Sequence, residues 1–175
     1  MIQKDTEHRR LRIVHLLHSF GTGGMEKGIA AVAQQTHGEF EHIIMCLTTG
    51  GNSLYFIFQL AKQLKALKPD VVHTRNWGGL DGIIAARLAG IRGVVHGEHG
   101  WGMEDPQGKN PKRRMIRRVL AGFVKECTCV SRQMVSWLEE DIRVGRPVTQ
   151  IYNGIDTQRY RPSAGIEIGR ASCRE

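Results

Sequence analysis

Disulfide frameworks, zinc ribbons and membrane spans all lack the residues they need here. The four cysteines, Cys46, Cys127, Cys129 and Cys173, contain no CxxC spacing, which points to a reduced, cytoplasmic setting. No charged, apolar and small-residue succession at the N-terminus reads as a secretion signal. No apolar stretch reaches the ~18 residues of a spanning helix; the longest, around SLYFIF and VLAGFV, are broken early. Any contact with a bilayer is therefore expected at its surface. What is present is 41% apolar residues in a chain of 175, enough for one ordinary domain with a real core and unlike disordered, collagenous or disulfide-scaffold compositions.

The formal charge is +8, and it is unevenly spread. Six cations fall between Lys109 and Arg118 without a single acid among them, so the remainder of the chain is nearly balanced. Local charge of this kind marks a site more than a solubility device.

Short β-branched or leucine-rich runs alternate with stretches of helical period, the pattern of repeated βα units on a parallel sheet. Strands are expected at Arg12–Leu17, His42–Leu47, Asp70–Thr74, Val94–Gly97, Glu126–Val130 and Val148–Tyr152. Helices are expected at Met25–Thr36, Ser53–Leu67, Gly78–Gly90, from Pro111 onward, and from a Ser131 cap to about Asp141. The helix after Pro111 has apolar positions Met115, Ile116, Val119, Leu120 and Phe123 at spacings of three and four, with arginine on its other face. A long Gly- and Pro-rich loop, Glu98–Asn110, follows the fourth strand, at the strand end where open α/β sheets usually hold ligands.

Three segments carry candidate chemistry. The loop Gly21–Gly24 (GTGG) lies between a strand and a helix N-terminus, where backbone N–H groups and the helix dipole can meet an anion. A dinucleotide fingerprint would need a third glycine where Glu26 stands, so that match fails; an anion loop and a plain tight turn both remain, and Glu26 is a candidate for a sugar or acceptor hydroxyl. The segment HGEHG, His96–Gly100, reads either as a metal site built from His96, Glu98 and His99, as a hydrogen-bonding site for a polyhydroxylated ligand, or as a histidine satisfied by its own loop. The Pro-Cys-x-x-Cys partner of zinc deaminases is absent. The segment HTRNWGG places Arg75, Asn76 and Trp77 on the same rim, where donors and an aromatic plate suit a sugar or a phosphate; Trp77 reads equally as a core plug and Arg75 as a partner for a nearby carboxylate. The basic helix fits a nucleic acid, an anionic lipid surface or a solvated face, and no nucleic-acid motif accompanies it.

Taken in order, GTGGMEKGIA, PDVVHTRNW, VVHGEHG, TCVSR and IYNGIDTQRYRP resemble the N-terminal half of a family 4 glycosyltransferase of the GT-B architecture, and most of all the sugar transferases of bacterial exopolysaccharide clusters. The resemblance implies an α/β, Rossmann-like parallel sheet with helices on both faces. It also implies a retaining, metal-independent transfer of a sugar from a nucleotide-sugar co-substrate to a glycan or lipid-linked acceptor, with no resident cofactor and no nucleic-acid partner. His99 matches the histidine that contacts the transferring sugar and is the expected catalytic residue. Gly23 and Gly24 match the loop against the donor's diphosphate and sugar; with Glu26, Arg75, Asn76, Glu98 and Asn153 they form the expected substrate set. Asn153, Gly154 and Asp156 match the stretch preceding the second domain. Lys112, Arg113, Arg114, Arg117 and Arg118 match a region that meets lipid-linked acceptors, which implies a cytoplasmic protein peripheral to the inner membrane face.

Two departures from the family pattern stand out. Only TTGGN joins Leu47 to Ser53, where the family has a further strand. The expected N-terminal domain covers residues 1–162, and residues 163–175, ending EIGRASCRE, resemble a translated sequencing adapter, so the nucleotide-sugar domain is expected to be missing and the chain alone inactive. A Rossmann-type oxidoreductase fragment and a basic module for nucleic acid or membrane surfaces are the alternatives.

Overall fold

The structure is a computed structural model that describes residues 9–47, 54–154 and Thr157. The TTGGN connection, Asp156 and residues 163–175 lie outside the described residues. Six parallel strands form one sheet: β1 Leu11–Leu17, β2 Phe40–Cys46, β3 Val71–Arg75, β4 Gly93–Glu98, β5 Glu126–Cys129 and β6 Val148–Gln150, in the order β2-β1-β3-β4-β5-β6. The connecting helices are α1 Gly24–Thr36, α2 Leu54–Leu67, α3 Leu80–Leu88 and α4 Pro111–Ala121. The last, α5 Arg132–Ser136, continues as a π-helical turn over Trp137–Ile142. Each expected strand and helix is present, with ends displaced by a residue or two; a 3-10 turn at Trp77–Gly79 precedes α3.

Strand alternation sorts the side chains. Val14, Leu16, Val72, Val94, Cys127 and Cys129 face one side and pack with Leu60 and Leu64 of α2, Ile83 of α3, Leu120 of α4 and Trp137 in a single buried cluster. Ile13, His15, Val71, His73, Val95 and Thr128 face the other side and line a cavity of about 960 Å³ together with Met25, Ala31 and Val32 of α1. Four helices thus share one face while α1 stands on the opposite one. The chain leaves β1 toward β2 and then crosses back to β3, and right-handed crossovers in opposite directions place their helices on opposite faces. The reversal between β1 and β3 is a switch point, and ligands of open α/β sheets sit at the carboxyl edge there.

Candidate functional site

At that edge Arg75, the last residue of β3, reaches between two histidines. Its guanidinium donates to His99 Nε2 at 2.9 Å and to His73 Nδ1 at 3.3 Å. An arginine cannot accept, so both rings accept there and are neutral, which leaves the hydrogen on His99 Nδ1 and on His73 Nε2. Burial, reinforced by the Arg75 charge, pushes His99 down to about 4 and His73 well below its ordinary value. Burial also lowers Arg75 to about 10.

Gly97 is a glycine for a steric reason: a Cβ there would lie 2.9 Å from His99 Nε2 and 3.1 Å from His73 Nε2. The His99 ring therefore folds back over the sheet. Its backbone N–H donates to Asn76 Oδ1 at 2.6 Å, and the Asn76 N–H donates to Gly97 O at 2.8 Å. Asn76 has φ 50 and ψ −170, a conformation costly for any residue with a Cβ and typical of positions fixed for function. Asn76, expected to bind substrate, thus spends its amide oxygen on holding His99.

A second histidine pair continues across the sheet. Thr36 Oγ1 donates to Val32 O at 2.7 Å and so accepts from His42 Nε2 at 2.8 Å. His42 Nδ1 then accepts from His15 Nε2 at 3.0 Å. Burial, with Arg75 and His42 adding to it, pushes His15 down to about 4.

The structure corrects two expectations. Glu98 is not on the rim: within HGEHG the strand alternation sends Gly97 and His99 to the cavity side and His96 and Glu98 into the helix-covered core, where they are 5% and 1% exposed. The same divergence separates the three residues considered as a metal site. Glu98 Oε1 accepts from Arg117 Nε at 2.6 Å and from His96 Nε2 at 3.3 Å. Burial raises its pKa, but the His96 and Arg117 contacts outweigh that and hold the carboxyl below its ordinary value. The Arg117 guanidinium lies 5.1 Å from the Trp77 ring and 5.2 Å from the Trp137 ring. Trp77 is accordingly a half-buried packing plate against the α4 arginines, at the edge of the core.

The second correction concerns α4, whose arginine face is not a free basic surface. Arg117 is buried. Arg113 pairs with Glu104 and lies over Trp77, Arg114 donates to Gly108 O at 2.7 Å, and Arg118 donates to Ile142 O at 2.8 Å. Among the described residues, Lys112 alone of the five expected cations makes no such contact. Gly108, at φ +61, has room for no side chain between Trp101 and Trp137, and its carbonyl also accepts from Trp137 Nε1 at 3.1 Å. The loop between β4 and α4 is thereby tied down at its far end. With the arginines turned inward, Met115, Ile116, Val119 and Phe123 are 57%, 43%, 55% and 48% exposed.

Gly23 and Gly24 are exposed at the start of α1, and the Glu26 carboxylate folds back over Gly23, where a Cβ would lie 2.4 Å from its Oε2. Asn153 and Gly154 line the same cavity as Met25, Gly28, Arg75 and His99. The start of α1 at Met25 and Gly28, the β3 end, His99 and the Asn-Gly turn therefore converge, while Gly23 and Gly24, next to Met25 in the chain, are not in the cavity wall, and Glu98 and the α4 arginines do not join it either. His73, His15 and Gly97 were not expected as site residues; the signal that finds His73 and Gly97 is their spacing of two from Arg75 and His99 along the chain, and His15 is the register partner of His73 on the neighbouring strand. Among the described residues no group of three or more His, Cys, Asp or Glu is placed to hold a metal ion. Burial, followed by Glu98, pushes Cys127 up to about 12, so it is an inert core thiol.

A parallel sheet of this order with a polar carboxyl edge is a Rossmann-like half of the GT-B architecture. Solved structures support that fold: the S. aureus MnaA-UDP co-structure (TM-score 0.58, 17% identity, covering 87% of this chain and 48% of that one) and a glycosyltransferase from Rickettsia africae ESF-5 (TM-score 0.55, 16% identity, covering 86% and 45%). Likeness at such identities speaks for the fold alone. Glycosyltransferase Family 4 matches residues 14–159, and the chain belongs to that family. The UDP-Gal:alpha-D-GlcNAc-diphosphoundecaprenol alpha-1,3-galactosyltransferase of Escherichia coli is 33% identical over 113 residues, which is 61% of this chain and 29% of that protein. The chain thus spans less than a third of that relative's length.

Replacing Arg117 by alanine leaves the Glu98 carboxylate buried without its cation, and breaking a pair this way costs about 3–5 kcal/mol, whereas replacing both partners with apolar residues is often neutral or stabilising. Urea unfolding of Arg117→Ala and of the Arg117→Met, Glu98→Leu double variant should reproduce that contrast. A single variant as stable as wild type would contradict the pairing.

Proposed function

We propose that this domain is the acceptor-side half of a retaining glycosyltransferase that moves a sugar from a nucleotide-sugar donor to a lipid-linked acceptor, without a metal. The observation that carries this reading is the convergence of the first turns of α1, Arg75, His99 and Asn153 on one carboxyl-edge cavity in a family 4 chain. Sugar transfer needs the anomeric carbon held beside an acceptor hydroxyl in a water-poor cleft, and fixed donors for the charge on the departing diphosphate. The exposed N–H groups at Gly23 and Gly24 suit the second task. His99, whose Nε2 is occupied by Arg75, is left with an N–H donor at Nδ1. It suits holding a sugar by a hydrogen bond and does not suit removing a proton.

The closing half of the cleft would come from a nucleotide-sugar domain, so the 175-residue chain alone is expected to turn over no donor. In a protein that joins the two domains, His99→Ala should lower turnover by about a hundredfold, the size of losing one fixed transition-state donor, with an unchanged circular dichroism spectrum. Turnover by the isolated chain, or an unimpaired variant, would contradict the proposal.

Approach to a lipid-linked acceptor is supported by α4. Its exposed apolar residues Met115, Ile116 and Val119 border a groove of about 580 Å³ that Phe56, Leu80 and Ile84 continue toward His18 and Trp77 at the rim. An amphipathic helix of this kind lies in a membrane interface with its apolar side down, and no described helix is long and apolar enough to cross a membrane. Peripheral binding is therefore attributed to the apolar side of α4, with exposed Lys112 assisting. Co-sedimentation with phosphatidylglycerol and phosphatidylethanolamine vesicles should fall by roughly tenfold or more in Ile116→Glu, Val119→Glu, because each buried aliphatic side chain contributes about 1.5–3 kcal/mol. A Lys112→Ala loss larger than that would return the role to charge.

A further inference from the structure

The hydrogen bonds of Arg75 leave an excess of donors with nothing to donate to. Since His73 Nδ1 and His99 Nε2 both accept from Arg75, the unpartnered buried nitrogens His73 Nε2, His99 Nδ1 and Arg75 Nε are all N–H groups. No described carboxylate pairs with Arg75: the ion pairs among the described residues engage Arg9, Arg12, Arg113, Arg114 and Arg117 with acids, and His96 with Glu98. Nor do the described residues of the cavity wall include any Asp or Glu. A half-buried cation without a described counter-charge is left uncompensated, and buried donors are normally satisfied, so this cluster is built for something that brings oxygen acceptors and negative charge.

We propose that Arg75, with His73 and His99, forms a binding site for a diphosphate ester on this domain's own sheet face. A diphosphate supplies several acceptor oxygens, and a guanidinium binds them through charge-assisted, fork-shaped contacts. The neighbouring first turns of α1 add their dipole from the side of Met25 and Gly28, which line the same cavity. Glu26, on that turn, is not in the cavity wall. The two histidines act here as neutral donors that extend the cationic centre without adding charge of their own. For the molecule that carries the diphosphate the site rests on the transferase reading, in which the donor and the acceptor each have one.

Binding is measured without turnover, by calorimetry and by ¹⁵N spectra of the histidine rings, on the 175-residue chain near neutral pH and low salt. The probes are inorganic diphosphate, uridine diphosphate and farnesyl diphosphate. Binding is expected to shift the His73 and His99 ring signals, and Arg75→Gln to weaken it by roughly tenfold or more, as loss of a charge-assisted fork should. Arg75→Lys, which keeps the charge and loses the fork, should fall between. The tightest probe identifies the source: uridine diphosphate the donor, farnesyl diphosphate the acceptor, and equal affinities the diphosphate group alone. Absence of binding by all three up to about 1 mM, unmoved ring signals, or a glutamine variant that binds like wild type would overturn the site. Were the glutamine variant unfolded, wild-type affinity in the lysine variant would overturn it. A failed site leaves sugar transfer open, and intact binding in a protein that transfers no sugar leaves the site standing.

Discussion

Much of this domain is organised around a carboxylate and a guanidinium that have left water together. Glu98 ends β4 and Arg117 sits on α4, and their 2.6 Å contact requires both elements to present those faces to each other. Removing charges from water is expensive, so the pair is enclosed by further interactions: His96 on the carboxylate, and the Trp77 and Trp137 rings against the guanidinium. Trp137 in turn holds the loop through Gly108. Two consequences follow from one pair. The end of β4 is fixed, and with it the place from which His99 projects. The roll of α4 is fixed too, and its apolar residues are turned to solvent.

The opposite face of the sheet has the complementary character. Where Glu98 and Arg117 neutralise each other, Arg75 is half-buried beside histidines that burial and its own charge keep neutral. One side of β4 is a closed electrostatic account, and the other is left open. That asymmetry separates the structural half of HGEHG from the half that faces the cavity. The open side lies at the carboxyl edge beside the β1/β3 switch point of this family 4 domain.

The fold was legible in the sequence because it is written in periodicities. The six strands and five helices follow from β-branched runs, Pro111, the Ser131 cap and the stop at Pro69. The convergence of the α1 start, Arg75, His99 and Asn153 was legible because a parallel sheet brings all its strand ends to one edge, although Gly23 and Gly24 themselves stay outside the cavity wall. Partner choice was not legible. HGEHG reads as one cluster in the linear chain, yet adjacent strand residues point to opposite faces, and that alternation applied to residues 96–99 would have separated His99 from Glu98. For α4 the usual inference from an amphipathic pattern, apolar side inward, failed. No local signal shows that Arg117 has a buried carboxylate waiting nineteen residues earlier in the chain, and a matched charge with two tryptophans competes successfully with burying Met115 and Val119.

The outward roll of α4 is the claim on which both the ion-pair account and the proposed lipid-facing surface stand, and three methionines report on it directly. Met103 is 98% exposed, Met115 57% and Met134 3%. Brief peroxide treatment of the native chain followed by peptide mass spectrometry should oxidise Met115 on the time course of Met103 while Met134 stays protected. Protection of Met115 alongside Met134 would mean that the helix buries its apolar side after all, and Arg117 could not then be where Glu98 needs it.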